Sequence, residues 1–372
     1  MKIHNEYDYL VHLLDSALHG TTPEELPAGL SFEKVLEYGK THEVANLAYL
    51  AVEKLKTPPD ARFSELWRQE YLKAIKRDIA QRRAAEEIRT ALHSHSICTL
   101  EVQGTVVKKY YPQSHLRMMS DIDFIVPKDS LYEAKSALAE LGYTVEDQVG
   151  IELDAVKGNV YAEIHTDFFD GSSATSGSLT DAFSYATYGE NCTAAVSDTI
   201  FYLFHLLHTI KHALQKGTGI RRIVDLYYLE PAMAERVDHA YIDDFLKKYG
   251  FYETKLRLLA VKDHWFNGRE PNDDLESFER EIFDSGNHGQ LDFSYQHKLE
   301  RYKDKGSRFP KISYLVDYIF PKKEYVYYMY PYCKEHHYPT ALCWVYRWVF
   351  HKKKFSAFKH DIFGIVKAKD RS

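Results

Sequence analysis

Two aspartates one residue apart, Asp121 and Asp123, head the run Ser120-Asp121-Ile122-Asp123-Phe124-Ile125-Val126. The three apolar residues after Asp123 read as a buried strand. Side chains alternate faces along a strand, so Asp121 and Asp123 point one way while Ile122 and Phe124 point the other. Paired hard oxygen donors suit Mg²⁺ or Mn²⁺, which take a few carboxylates together with substrate phosphate oxygens. Phosphoryl and nucleotidyl transfer need that arrangement, because cations offset charge on the attacking and leaving oxygens. An Asp-x-Asp pair alone is equally a solvated strand end, so the surroundings decide.

Upstream, Val102-Gln103-Gly104-Thr105 is a turn of small residues whose backbone N–H groups could approach a triphosphate. Lys108, Lys109, His115 and Arg117 fill the approach to the aspartates. Arg117 lies four residues before Asp121, so its guanidinium could grip phosphate with two prongs or pair with one of the aspartates. Downstream, Tyr161-Ala162-Glu163-Ile164-His165 alternates as a second strand with Glu163 and His165 on one face. Glu163 would complete a three-carboxylate site or act as base on an acceptor hydroxyl, and Asp167, in phase with it, is the reserve. The expected metal-binding and catalytic set is therefore Asp121, Asp123 and Glu163. The expected nucleotide-binding set is Gly104, Thr105, Lys109, Arg117, Ser120 and His165.

The elements that must position these residues follow from local patterns. A strand over 97–102 leads into the Gly104 turn. Asp129-Ser130 caps a helix carrying Leu131, Ala134, Leu138 and Leu141, which ends at Gly142. A hairpin partner over 151–156 turns at Lys157-Gly158-Asn159 into the Glu163 strand. The Gly/Ser/Thr-rich stretch 170–181 reads as a flexible loop. The chain divides into a helical region over 1–94, a core over 95–195 and a helical region over 196–372. In the first, 62–94 reads as one long helix whose arginines form a solvated face or reach a ligand.

In the last region, Ser197-Asp198 opens a helix with His205, His208 and His212 at i, i+3 and i+7. That spacing admits zinc, although neighbouring helix positions seldom converge on one metal unaided. Arg221 and Asp225 are spaced for an ion pair within a helix, with substrate contact as the alternative. The polar, acidic stretch 268–289 reads as a surface excursion. Trp344, Arg347, Trp348 and His351, followed by Lys352, Lys353 and Lys354, make 340–359 either a membrane-surface contact or a helix packed on the core.

At 372 residues, 45% hydrophobic and 27% charged, the composition is that of a folded globular chain with room for two or three compact units. A net charge of −6 gives no global attraction for nucleic acid or anionic lipid. The 29 tyrosines favour stacking surfaces without naming a ligand. Cys98, Cys192, Cys333 and Cys343 lack a CxxC spacing and read as reduced core thiols. With acids and a histidine where a signal peptide needs an apolar run, and no long apolar stretch, the expected address is cytoplasmic.

The order Gly-Thr, Asp-x-Asp and later acid resembles the DNA polymerase beta-like nucleotidyltransferase superfamily. A narrower resemblance, to the bacterial "uncharacterised nucleotidyltransferase" family, is carried by Gly104, Tyr111-Pro112, Arg117, Asp121, Asp123, Gly142-Tyr143, Glu163 and His165. The run LEYGKTHEV, the Arg221 and Asp225 spacing, and a tail of Phe320-Pro321, Tyr330-Pro331, Trp344 and Arg347 extend it over most of the chain. Two departures stand out. Gln103 replaces the family's usual lysine, and the gap from Gly104-Thr105 to Asp121 is longer than is usual in the superfamily. The resemblance implies an α+β fold, with a small mixed-sheet nucleotidyltransferase core between helical N-terminal and C-terminal regions. It also implies a Mg²⁺- or Mn²⁺-dependent transfer of NMP from an NTP such as ATP. The acceptor would be a hydroxyl or phosphate on a sugar, glycolipid, protein or RNA, with a link to surface-polysaccharide metabolism. The rivals are a nucleotide-binding or regulatory protein of the same fold without the chemistry, and a helical interaction scaffold whose Asp pair is incidental.

Overall fold

The computed structural model describes residues 3–147, 152–169, 179–189, 192–215, 218–286, 308–320, 323, 333 and 336–350. Its strands are β1 (Thr99–Leu100), β2 (Ile122–Ile125), β3 (Thr144–Asp147), β4 (Glu152–Lys157), β5 (Val160–His165), β6 (Ala186–Tyr188) and β7 (Thr193–Val196). They join in one mixed sheet, in the order β3-β4-β5-β2-β1-β7-β6. β2 runs parallel to β5, which sets Asp123 beside Glu163 and Ile125 beside His165. β4 runs antiparallel to β5, which sets Asp154 beside Glu163 and Glu152 beside His165.

Alternation along these three strands makes a sheet with two chemically opposite faces. Ile122, Phe124, Leu153, Ala155, Ala162 and Ile164 are fully buried on one. They pack against Ile88 and Leu92 of the helix Ala61–Ser94 (α4 below) and against Ala134 and Leu138 of the helix Leu131–Glu140 (α6). Asp123, Glu152, Asp154, Glu163 and His165 take the other. A slip of one residue in any of these strands would drive its acids into the core, so the apolar face fixes the register of the acid face.

Helices from both ends of the chain share a second core. The early ones are α1 (Glu6–His19), α2 (Phe32–Thr41) and α3 (Ala45–Val52). The later ones are α7 (Asp198–Gln215), α8 (Ile220–Met233), α9 (His239–Lys248), α10 (Tyr252–Phe266) and α11 (Asp273–Ser285). Leu10, Leu14, Leu47, Leu203, Leu207, Val224 and Leu258 meet in this cluster. The expected α+β architecture, a small mixed-sheet core between helical regions, is what forms.

The long helix α4 does more than pack. Its Asp78, 3% exposed, accepts from Lys108 Nζ at 2.9 Å and from Ser114 Oγ at 2.7 Å. Gln81 Nε2 donates to the Met119 carbonyl at 2.9 Å, and Arg77 donates to the Ser120 carbonyl at 3.1 Å. Buried polar groups hold their geometry when every partner is present, so α4 ties down the segment that leads into the aspartates. Arg77 thus leaves the solvated arginine face to grip backbone, while Arg83 keeps to the surface with Glu87.

Several expectations change. β6 and β7 were not legible as strands: Thr193-Ala194-Ala195-Val196 carries little pattern, and it forms by pairing in parallel with β1. β1 itself is shorter than 97–102. Within 268–289, expected to be a surface excursion, α11 forms because Asn272 caps it through the Leu275 N–H and because Leu275, Phe278 and Ile282 are buried along one stripe. All four cysteines are free, as expected. Cys333 and Cys343 are buried core thiols, whereas Cys98 and Cys192 are only half-buried. Residues 170–178 of the predicted loop and 351–359 of the basic tail lie outside the described residues. Helices α12 (Pro310–Ile319) and α13 (Thr340–Phe350) complete the described chain. Among the described residues no helix is long and apolar enough to cross a membrane.

Candidate active site

The acid face opens into a cavity of about 310 Å³ lined by Asp121, Asp123, Glu152, Glu163 and His165, with Ser120 at its edge. Asp123 is 7% exposed. Burial, and after it the charge on Asp121, push its carboxyl up to about 6 against the pull of His165. The His165 ring stands among three carboxylates. Its Nε2 is 3.2 Å from Asp123 Oδ1 and 3.3 Å from Glu163 Oε2, and its Nδ1 is 3.2 Å from Glu152 Oε2. Burial alone would lower its pKa, but bonds to Asp123, Glu152 and Glu163 carry it well above the usual value. The rise at His165 governs this pair, because three acceptors surround one ring, so without a metal the site favours the protonated ring.

The donor chemistry fits a divalent cation. One ligand atom each of Asp123, Glu163 and His165 lies within 4.8 Å of the other two. Asp121, half-buried beside them, takes a hydrogen bond from Ser120 Oγ at 3.3 Å. Carboxylates with one imidazole suit Mg²⁺ or Mn²⁺, the nitrogen favouring the latter.

The opposite wall comes from α7 and α8: His205, His208, Lys211 and His212 from the first, and Arg221, Arg222 and Asp225 from the second. Arg117 crosses to this wall. Its Nε and Nη2 donate to the two oxygens of Asp225 at 2.8 and 2.9 Å, and Tyr111 adds its hydroxyl at 2.7 Å. Burial would raise the Asp225 pKa, but Arg117 holds it below the ordinary carboxylate value. The ion pair expected within the helix is therefore replaced. Arg117, 108 residues upstream, takes Asp225, while Arg221 Nη1 bonds to Glu43 Oε2 at 2.9 Å and to the Met118 carbonyl at 2.6 Å. Glu43 reaches Arg221 from a left-handed backbone at φ 55, where α2 gives way to α3.

The histidines are cavity wall, and the only metal-capable group among the described residues does not include them, so the zinc reading is set aside. His205 is 6% exposed, its Nε2 has no hydrogen-bond partner, and burial pushes its pKa down to about 4. Burial and then the Arg222 charge lower His208 as well. Its Nε2 lies 3.0 Å from that of His212.

Not every expected residue arrives. Gly104 lines the cavity, but for packing reasons: a Cβ there would lie 2.4 Å from Met119 Sδ and 3.0 Å from Arg117 Nη1. Thr105 and Lys109 line a neighbouring hollow of about 290 Å³, with Gln81, Arg82 and Lys108, and neither lines the acid cavity. The turn runs straight into the four-residue helix α5 (Gly104–Val107), and Asp78 draws the following lysine toward α4. Asp167 is also placed elsewhere. Its oxygens accept the N–H groups of Phe168, Asp181 and Ala182 at 2.8, 2.8 and 3.0 Å, so it caps a loop. A larger hollow of about 840 Å³, between the start of α1 and α10–α11, is lined by other acids, Glu6, Asp8 and Glu279 among them, and by none of the sheet's carboxylates.

Glu152 and Lys211 escaped the sequence reading, and Arg222, noted beside Arg221, was given no role. The first was findable: counting outward from the Gly158-Asn159 turn places Glu152 beside His165. For the two cations no local signal exists, because the wall forms only when α7 and α8 pack over the sheet.

Two neutral histidines give the fold an acid limit. His42, 1% exposed, and His205 both fall from 6.5 to about 4 on burial. Between those values the unfolded chain holds more protons, so their contribution is complete above pH 6.5 and fades as the pH falls toward 4. Each should remove about 2 kcal/mol between pH 7 and 5, at about 1.4 kcal/mol per unit. Urea unfolding at the two pH values measures the loss, and His42→Gln should reduce it by the share of that one residue, about 2 kcal/mol.

No curated protein matches the chain. Among solved structures, the antibiotic-resistance factor ANT(2'')-Ia in solution is similar at 11% identity and a TM-score of 0.35, over 50% of this chain and 97% of that one. So slight a likeness carries no weight. The family profile described as "Uncharacterised nucleotidyltransferase" matches residues 29–267, which span the aspartate pair, Glu163, Arg117 and the α7–α8 wall. With well over half its length inside that match, the chain belongs to the uncharacterised nucleotidyltransferase family.

Proposed function

We propose that the protein transfers NMP from an NTP, ATP among the donors, to a hydroxyl or phosphate acceptor with a Mg²⁺ or Mn²⁺ cofactor. One observation carries this: a single cavity has carboxylates on one wall and cationic groups on the other. Asp121, Asp123 and Glu163 would hold the divalent cation, with His165 beside them. When bound, the metal offsets charge on the triphosphate and on the attacking oxygen. Ser120 orients Asp121, and His165 keeps the acids together by sharing its proton until they take up the cation. Glu163 accepts the proton of an acceptor hydroxyl. The acceptor oxygen then forms its bond to the α-phosphorus as the bond to the β-phosphate bridge breaks, and pyrophosphate leaves. Sugars, glycolipids, proteins and RNA are the acceptor classes, and a place in surface-polysaccharide metabolism belongs to the same proposal.

The test is label transfer from α-³²P-NTP with Mg²⁺ or Mn²⁺ across those four acceptor classes, read together with pyrophosphate release. Metal-dependent labelling supports the reading. Gln103, standing where the family usually has lysine, favours one rival: a protein that binds NTP and releases no pyrophosphate with any acceptor. A chain that binds no NTP at all would be the helical scaffold, and either result overturns the proposal.

A further inference from the structure

The walls of the cavity place a phosphate chain on one side only. Carboxylates repel phosphate unless cations intervene, so the chain's negative charge must be met from the α7–α8 side. The Gly104–Thr105 turn is not open for that purpose. Met119 and Arg117 occupy the space over Gly104, Thr105 lines the neighbouring hollow and not this cavity, and both prongs of Arg117 are on Asp225.

We propose that the triphosphate is held by the α7–α8 wall, through Arg222, Lys211 and His205, and not by the Gly104–Thr105 turn. This rests on the nucleotidyl-transfer reading of the same cavity.

Arg222 is 7% exposed, beside Arg221 on the first turn of α8. Burial and the like charge of Arg221 push its guanidinium down to about 9, against the pull of Asp225 and Glu43. Lys211, half-buried, projects from the same side of α7 as His208, three residues earlier, with its ammonium 5.8 Å from the Phe169 ring centre. His205 supplies the independent sign of a ligand. Its Nε2 is buried, lacks a partner and belongs to a side chain lining the cavity. In the tautomer with its proton on Nε2, the ring donates to a phosphate oxygen and stays neutral. A fork, a point charge and a neutral donor on two packed helices suit a chain of phosphates better than a single carboxylate.

The probe is inorganic tripolyphosphate without divalent metal, titrated by calorimetry at low salt into the full chain. Wild type should bind it. Arg222→Gln and Lys211→Met should each weaken binding about 10- to 100-fold, the range of charge-assisted hydrogen bonds. Arg222→Lys should recover part of the loss, and Arg83→Gln on the exposed face of α4 should change it less than twofold. If Arg222→Gln does not fold, Lys211→Met and Arg222→Lys decide. Unchanged affinity in both wall variants overturns the proposal, as does a loss confined to Thr105→Val or Lys109→Met. The two readings separate cleanly. Arg222-dependent tripolyphosphate binding without any NMP transfer leaves the wall standing and removes the enzyme, while transfer that ignores the wall variants removes the wall alone.

Discussion

Asp123→Asn should lower the rate of the proposed NMP transfer about a thousandfold while the fold stays intact. Several kcal/mol of charge stabilisation by a cation convert to about that factor, since each 1.4 kcal/mol is about tenfold. Asp123 is the right residue to remove because it stands at the centre of the carboxylates assigned to the metal: it lies beside Glu163 in the β2–β5 register, two residues after Asp121, and 3.2 Å from His165. The substitution keeps the side-chain volume and leaves an oxygen to accept from the His165 ring. It also removes a charge that burial and Asp121 both disfavour, which offsets the weakened contact with the imidazolium. The melting temperature should therefore move by only a few degrees, and calorimetric Mn²⁺ binding should fall with the rate. Asp167→Asn is the contrasting variant. It loosens the bonds to Asp181 and Ala182 and leaves the metal affinity alone. A rate within tenfold of wild type in Asp123→Asn would dismiss the acid cluster as the catalytic centre.

How much of this the sequence reveals depends on how far each contact reaches. The acid face was legible because period-two alternation at 121–126 and 161–165 reports side-chain direction directly, and the hairpin turn at Gly158-Asn159 fixes register by counting. The opposite wall was misread because the only rule applicable to Arg221 and Asp225 is local. Helical spacing favours their pairing by a few tenths of a kcal/mol, whereas the buried two-pronged contact from Arg117 is far stronger. β7 was missed for the same reason, since its partner β1 lies some ninety residues earlier. The α11 error came from composition: acidic residues surround a stripe of just three buried apolar side chains. Thr105 shows a different limit. A Gly-Thr turn reads the same whether its glycine admits a phosphate or the body of Met119.

Asp225→Ala should be the most destabilising single change in the cleft. The residue is fully buried and takes both prongs of Arg117 together with the Tyr111 hydroxyl. Removing one member of a buried pair leaves the other charge uncompensated, at a cost of about 3–5 kcal/mol. Replacing both members costs less than the sum of the single losses, so Arg117→Met combined with Asp225→Leu should show a coupling of about 2 kcal/mol in urea unfolding. The consequence reaches the chemistry, because Arg117 also packs over Gly104 and stands just before the aspartate strand. Once freed, it lets the 117–120 segment shift, and that segment sets where Asp121 and Asp123 enter the cavity. Asp225→Asn should therefore lower the transfer rate at temperatures where the protein is still folded, and Mn²⁺ affinity should drop in step. If Asp225→Ala unfolds at the wild-type urea midpoint, the Arg117 pair does not hold the two walls together, and the geometry of the acid cluster must rest on α4 alone.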